Sequence, residues 1–483
     1  MTEKKWYDNA VMVNRDPNWY GATRGANAEE SRANLAQYFS QYEGAVTDVL
    51  ICVLEQTSII PSKYIMWRGD KVLQKTENGH EVDYSNMSHL YKAYAEYGVD
   101  GVEVFIEEVN KLGIRPWITL RMNDVHFGAN ETSFLRPDIY YEAKEAGEMV
   151  GPYYNYYATA HNFKYPRYRE ALLGYIGEIL DKYDMFGLEL DFMREIYCFD
   201  YFGNPDGIQE IMLDFMREVK KMAIAAEKRI GHDLKISIRT CRDSEDAYIF
   251  GFDIKRMVDE GLVDVVVVTP HFATTDSGMP IRKWKELLGE GAAVMAGLEM
   301  LNGYPSAVAH SSPENAKAYA AAYYEQGADG IYFNNHEYYT DHNRACWRVN
   351  RDNCYEGRRD FVVTYQDCAA YPIMAYKPLP FRIGYSNILP LEVGKIKSTD
   401  KVTLLIDFDG EKFPEISISG FRANSIKVVE PLTLYDFRGN PVYPTPHTPL
   451  EFDFTGFETD GKAFIGFIGN GGIGYIRLTV ISE

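Results

Sequence analysis

The stretch Tyr183-Asp-Met-Phe-Gly-Leu-Glu-Leu-Asp-Phe192 decides the fold, because it joins the end of a helix to a buried strand. The same kind of junction recurs at Gly261-Leu-Val-Asp-Val-Val-Val-Val268 and at Gly327-Ala-Asp-Gly-Ile-Tyr-Phe333. A repeated helix-to-strand junction is typical of βα units, in which parallel strands alternate with helices. The sequence therefore predicts an α/β fold.

The number of such strands favours a closed (β/α)8 barrel, also called a TIM barrel. Apolar, β-branched runs predict eight strands, with helical periodicity between them. An open sheet of eight strands is the alternative. The predicted strands are Ala10–Arg15, Val46–Leu54, Arg115–Arg121, Phe186–Phe192, Leu234–Thr240, Val263–Thr269, Ala292–Glu299 and Asp329–Asn335.

The pattern changes after about Pro378, where helical periodicity stops and short alternating strands follow. Turn signals such as Asp409-Gly410, Gly439-Asn440 and Asp460-Gly461 separate these strands. We therefore predict two domains, a barrel over residues 1–377 and a small all-β domain, a sandwich, over residues 378–483.

Composition narrows the class of protein. A formal net charge of −20 makes nucleic acid a poor partner. No apolar stretch is long enough to span a bilayer, and the first residues lack the apolar core of a secretion signal. The sequence therefore predicts a cytoplasmic protein, or a secreted one if a signal has been removed. The six cysteines form no CxxC pair, which indicates free thiols in a reducing compartment.

The fourth predicted strand carries two acidic residues, Glu189 and Asp191. Side chains alternate along a strand, so both carboxylates lie on one face and the neighbouring leucines on the other. The apolar face must meet the helices, and the carboxylates therefore point into the barrel. For Glu189 a salt bridge with Arg239 or Arg121 and a role in the site are both open. Asp191 lies nearer the mouth, where active sites of this fold lie, and we expect it to be catalytic or substrate-binding.

Arginines form a second signal. Arg15, Arg121, Arg194 and Arg239 lie at or just past the ends of four different strands. A guanidinium group matches a carboxylate, sulfate or phosphate in geometry, so their convergence at one mouth predicts an anionic ligand. Ion pairing with neighbouring acids is the alternative for each of them.

Other strand ends add candidates of two kinds. His126 follows strand three, where an imidazole can act as a general acid or base near neutral pH. Further catalytic candidates are Asp16, Asp124 and Glu299, and further substrate-binding candidates are Asn123, His271, Asn334 and Asn335.

The segment Gly187-Leu-Glu-Leu-Asp191-Phe-Met-Arg194 resembles the strand-four signature of the glycosyl-hydrolase-like family 10 proteins. The resemblance covers about residues 5 to 375 and departs from a chitinase-type strand, which would carry a glutamate at Met193. Within the same broad group, the chain resembles a family of inverting exo-sialidases. That resemblance implies roles for Arg121, His126, Arg194 and either Asn334 or Asn335, with Asp16 at the end of strand one.

These observations lead to a prediction of a glycoside hydrolase, with exo-cleavage of a terminal sialic acid as the first choice. Arg121 and Arg194 would bind the substrate carboxylate while His126 activates water. A second version uses Asp191 and Glu299 as the carboxylate pair, whose separation decides between inversion and retention. A metal-dependent barrel hydrolase or isomerase and a non-catalytic glycan-binding barrel are the alternatives. No cofactor, nucleic acid or membrane is expected, the partner is an anionic saccharide, and self-association stays open.

Overall fold

A computed structural model gives the fold and describes most of the chain. The described residues are 5–70, 73–75, 81–83, 88–125, 136–151, 159–193, 195–200, 206–270, 274–334, 336, 340–366, 375–384 and 386–483.

Eight strands close into a barrel, which confirms the predicted fold class. Their bounds are Ala10–Arg15 (β1), Asp48–Leu54 (β2), Arg115–Arg121 (β3), Gly187–Asp191 (β4), Lys235–Thr240 (β5), Val265–Val268 (β6), Ala293–Glu299 (β7) and Gly330–Asn334 (β8). Each strand lies within two residues of its prediction at either end. Around the barrel their order is β1-β8-β7-β6-β5-β4-β3-β2.

Burial explains why these segments read as nearly continuous apolar runs. Every residue of β2, β4, β6, β7 and β8 is buried. Strands of a barrel are covered on one side by helices and on the other by the barrel interior, so both faces leave water. The polar residues on these strands must therefore find partners inside the protein.

The helices begin at capping residues that the sequence supplies. Asp100 accepts hydrogen bonds from the backbone amides of Val102 and Glu103, and Ser312 forms a capping box with Asn315. Each of these caps satisfies amides that the first helical turn leaves without partners. The helices are Ala28–Phe39, Ser88–Tyr91, Gly101–Lys111, Asp138–Glu145, Pro166–Lys182, Ile208–Ile230, Ser244–Ile249, Ile254–Asp259, Ile281–Leu288, Pro313–Glu325 and Thr340–Trp347.

The C-terminal region forms two antiparallel sheets, which confirms the predicted β-sandwich. The four-stranded sheet has the order Ser386–Ile396, Thr459–Ile468, Glu415–Ile418, Phe421–Arg422. The larger sheet has the order Gly357–Val362, Gly471–Ser482, Lys401–Asp409, Thr448–Asp453, Ser425–Val428, and Phe381–Ile383 also pairs with Gly471–Ser482. Gly357–Val362 precedes residue 378 in the chain, and the predicted domain boundary stays a prediction.

Short strands complete the description. Ala307–His310, Leu301–Tyr304 and Thr274–Thr275 form a small sheet, and two hairpins pair Leu73–Lys75 with Glu81–Asp83 and Leu434–Tyr435 with Pro441–Val442.

Backbone proximity divides the chain into two compact units. The first unit comprises Val13–Val267 and Leu288–Ala292, and it contains β2 to β5 complete. The second unit comprises Met1–Met12, Val268–Leu287 and Ala293–Glu483, and it contains β7, β8 and the β-sandwich. In the second unit, Tyr304, Val362, Leu405 and Tyr475 share one apolar cluster.

Two further features of the described residues bear on the predictions. None of the described helices has the length and apolar character needed to cross a membrane. The five described cysteines are free and buried, while Cys368 lies outside the described residues.

Candidate active site

Strand register arranges the polar residues of the first unit in two layers inside the barrel. Arg121 on β3 pairs in register with Asp191 on β4, and Asp191 pairs with Arg239 on β5. Two residues closer to the amino ends of the same strands, the side chains of Thr119, Glu189 and Ser237 are aligned in the same way. We call these the upper and the lower layer. The upper layer lies at the carboxyl ends of the strands, where active sites of this fold lie.

Glu189 holds the lower layer together from the centre of the barrel. Its side chain is fully buried, and Oε1 accepts hydrogen bonds from Asn14 Nδ2 at 3.1 Å and Thr119 Oγ1 at 2.8 Å. Ser237 Oγ donates to Oε2 at 3.4 Å. These contacts reach three other strands, so Glu189 points into the barrel as the alternation predicts. These three donors are neutral, while Arg239 and Arg121 donate to other carboxylates.

Asp191 is held in one orientation in the upper layer. Arg239 Nη1 donates to its Oδ2 at 2.9 Å, and the backbone amide of Met193 donates to its Oδ1 at 2.9 Å. Both side chains of the pair are at most 3% exposed. A carboxylate fixed through both oxygens at a strand end has the preorganisation that a catalytic group requires.

Arg121 lies between three carboxylates. Nη1 donates to Glu55 at 2.8 Å and to Asp124 at 3.4 Å, and Nη2 donates to Asp16. Burial acts to lower the pKa of Arg121, but the surrounding acidic groups, Asp16 first, hold that pKa well above its usual value. Arg121 therefore stays positively charged, and its guanidinium group is paired with carboxylates of its own chain.

Glu55 is a member of this cluster that the sequence reasoning missed. It joins two buried guanidinium groups, since Arg68 Nη2 donates to its Oε2 at 2.6 Å while Arg121 donates to Oε1. Its side chain is 10% exposed, and that of Asp16 is 21% exposed, whereas the side chain of Asp124 is fully buried. Its position in the sequence could have identified it, because Glu55 directly follows β2. Residues at the carboxyl ends of barrel strands are candidates for the active site, as Asp16 is at the end of β1.

Arg15 faces away from this cluster. Its Nη2 donates to the Tyr38 hydroxyl at 2.8 Å, on the helix Ala28–Phe39. Its neighbours Asn14 and Asp16 contact Glu189 and Arg121 instead. Alternation along β1 thus sends Arg15 toward the helix layer, and the described contacts do not bring it to the other arginines.

Asn123 fastens the loop after β3 to two later segments. Its Nδ2 donates to the carbonyl oxygens of His161 and Tyr197, both at 2.9 Å, and its Oδ1 accepts from the His161 amide at 2.9 Å. The His161 ring stacks on Tyr168 with centroids 3.8 Å apart. Burial, with Arg136 nearby, lowers the pKa of His161 to about 3, so this ring stays neutral near pH 7. Asn123 therefore holds the backbone at His161 and Tyr197 in place.

The second unit holds two more candidates, Glu299 on β7 and Asn334 on β8. They pair in register, and Asn334 Nδ2 donates to both carboxylate oxygens of Glu299, at 3.2 and 3.0 Å. Glu299 is fully buried and Asn334 is 5% exposed. The strand-end rule thus identified two residues that do meet.

Four predicted site residues, His126, Arg194, His271 and Asn335, lie outside the described residues. Across the described part of the chain, no cluster of three or more histidine, cysteine, aspartate and glutamate side chains is arranged to hold a metal ion.

Comparison with protein-family models gives no match, and comparison with curated proteins gives none either. Among solved structures, the chain is similar to a cycloisomaltooligosaccharide glucanotransferase of Paenibacillus sp., with 10% identity, a TM-score of 0.37 and 99% of this chain covered. This chain spans 58% of that protein's length.

Two further similar structures have comparable scores. A glycoside hydrolase family 18 N-acetylglucosaminidase of Paenibacillus barengoltzii has 10% identity and a TM-score of 0.40, covering 70% of this chain and 98% of its own. An α-L-fucosidase of Vibrio sp. strain EJY3 has 8% identity and a TM-score of 0.40, covering 99% of this chain and 97% of its own. All three TM-scores are below 0.5, and the assignment of the barrel rests on its own strand order.

Proposed function

We propose that the protein is a glycoside hydrolase and that Asp191 is one of its catalytic carboxylates. The observation that carries the proposal is the upper layer of the first unit. There Asp191 is fixed at a strand end by Arg239 and a backbone amide, and it pairs in register with Arg121. Most glycoside hydrolases use two carboxyl groups, one to protonate the leaving oxygen and one to act as base or nucleophile.

The second carboxyl group must be able to meet substrate. Asp16 is the most exposed carboxylate of the Arg121 cluster, with 21% of its side chain accessible, and we propose it as the partner of Asp191. Glu299, the partner that the sequence suggests, is as buried as Asp191 and is bonded to Asn334, and it is the alternative partner. Substituting Asp16 and Glu299 in turn distinguishes the two versions.

The finer proposal concerns the sugar. In the inverting exo-sialidase version, Arg121 and Arg194 bind the substrate carboxylate and His126 activates water. Residues 126 and 194 lie outside the described residues. Three carboxylates, those of Asp16, Glu55 and Asp124, already share the Arg121 guanidinium, so a substrate carboxylate would have to displace one of them. Neutral glycosides therefore enter the test beside the sialoside.

The decisive experiment combines a substrate panel with a matched pair of variants. Aryl glycosides of fucose, N-acetylglucosamine, glucose and sialic acid are offered to the wild type from pH 4 to 9. Asp191→Asn is expected to lower kcat by about 10²- to 10⁴-fold, the usual contribution of a group that transfers a proton.

Asp48→Asn is the matched control. Asp48 is also fully buried and also bonded to an arginine, with Arg115 Nε at 2.7 Å, but it lies at the amino end of β2. It should lower the Tm and leave kcat near that of the wild type, because that end of the barrel serves stability. Equal losses of kcat in the two variants would remove Asp191 from the chemistry. A wild type that cleaves no glycoside of the panel at any pH would refute the proposed function.

A further inference from the structure

A groove opens on the β-sandwich, in the second unit. Its volume is about 680 Å³, within the range of roughly 300–1,000 Å³ that small-ligand sites occupy. Residues of both sheets line it, among them Ile416 and Arg422 on the four-stranded sheet and Ile426 and Phe452 on the larger one. The groove is thus part of the sandwich itself.

The lining of the groove combines buried apolar side chains with exposed apolar and polar ones. Ile416 and Phe452 are buried, while Phe413 and Ile468 are 53% and 55% exposed. Exposed aromatic and aliphatic side chains lining one concavity mark a surface for a ligand with an apolar face.

The charges of the groove cancel. Its charged lining residues are Glu415 and Arg422, one of each sign, in a chain whose formal net charge is −20. A strongly charged ligand gains little from such a lining, because complementary potential is what attracts charged partners. Hydroxyl groups, in contrast, can both donate to and accept from this pair and from Ser425.

We propose that this groove binds an uncharged oligosaccharide. Each pyranose ring has a face of C–H groups and an edge of hydroxyl groups, and the lining of the groove offers both apolar side chains, Phe413 and Ile468, and polar ones, among them Ser425. A peptide adding to the edge strand Ser425–Val428 is disfavoured, because Lys427 on that edge is paired with Glu451, and a charged lysine protects an edge from strand addition. The lining of the groove includes none of the proposed catalytic residues, and the proposal is independent of the proposed function.

The test uses the full chain and three probes, maltohexaose, cellohexaose and chitohexaose, titrated while NMR or calorimetry reports binding. At least one should bind the wild type. Phe413→Ala should weaken that binding roughly eightfold, the change in Kd expected if about 50 Å² of apolar contact is lost. Ile468→Ser should act in the same direction, which guards against an effect peculiar to one variant.

Tyr443→Ala is the matched control, because Tyr443 is 57% exposed and lies outside the groove lining. It should leave the Kd unchanged, and Asp191→Asn should leave it unchanged too, since binding in the barrel would respond to that variant. The absence of binding by all three probes would overturn the proposal, and so would a Kd indifferent to Phe413→Ala. Self-association of the wild type that Phe413→Ala abolishes would overturn it in favour of a contact between two copies.

Discussion

Replacing His161 by glutamine should remove a defined part of the protein's sensitivity to acid. The His161 ring is buried against Tyr168, and burial together with Arg136 lowers its pKa from 6.5 to about 3. Between pH 6.5 and about 3, the His161 side chain is therefore protonated in the unfolded chain and neutral in the folded protein. Because the unfolded state binds more protons there, the free energy of unfolding falls as the pH decreases from about 6.5 toward 3.

The magnitude follows from the two pKa values. At pH 5, proton binding to the unfolded chain costs the folded state about 2 kcal/mol relative to pH 8. Urea unfolding of the wild type and of His161→Gln at pH 8 and pH 5 measures this loss. The variant should lose about 2 kcal/mol less than the wild type between the two pH values.

His232 supplies a control of opposite sign. A hydrogen bond with the Asp233 backbone, and the neighbouring Asp184, raise the pKa of His232, so its contribution to stability is present at low pH and lost as the pH rises. His232→Gln should leave the acid loss as large as in the wild type or slightly larger. If His161→Gln and the wild type lose equal stability between pH 8 and pH 5, the ring is not buried as a neutral group and the reasoning fails.

Three other predictions concern packing and charge. Glu55→Gln should lower the free energy of unfolding by about 3 kcal/mol, because two buried guanidinium groups lose a charged partner. Glu107→Gln, at a half-exposed ion pair, should change the free energy of unfolding by less than about 1 kcal/mol. Equal effects of the two variants in urea unfolding would contradict this. Gly187→Ala should destabilise the protein by about 2 kcal/mol, since the new methyl carbon would lie 2.2 Å from the Trp117 ring. Gly177→Ala lies in a helix, and the atom nearest to its new methyl carbon is 3.6 Å away, so this variant should be neutral or stabilising. The Tm values of the two variants and the wild type test both expectations. The native protein should react with a thiol reagent at one cysteine at most and the denatured protein at six, because the five described thiols are buried; rapid reaction of two or more in the native state would refute it.

The sequence predicted the barrel because its evidence was periodic and repeated. A strand buried on both faces must be apolar throughout, so the eight runs stood out and their bounds came within two residues. Alternation also placed Glu189 and Asp191 on the inner face of β4, as the contacts of Glu189 with three other strands show.

The partners of the charged residues could not be predicted in the same way. Alternation tells which side chains point inward, but the register between strands decides which carboxylate meets which guanidinium. Thus Arg239 pairs with Asp191, and Arg121 with Asp16, Glu55 and Asp124, while Glu189 accepts from neutral donors such as Thr119. Loop geometry adds further partners, since Asn123 binds backbone nearly forty residues later in the chain, which no local pattern indicates.

The strand Gly471–Ser482 pairs with Gly357–Val362 on one side and with Lys401–Asp409 on the other. During synthesis on a ribosome, the larger sheet therefore cannot close until more than a hundred residues after its first strand have emerged. Contacts between such distant parts of a chain form slowly, and unpaired strands invite aggregation in the meantime. A nascent chain halted shortly before residue 471 should consequently depend on chaperones, however well its preceding βα units have already folded.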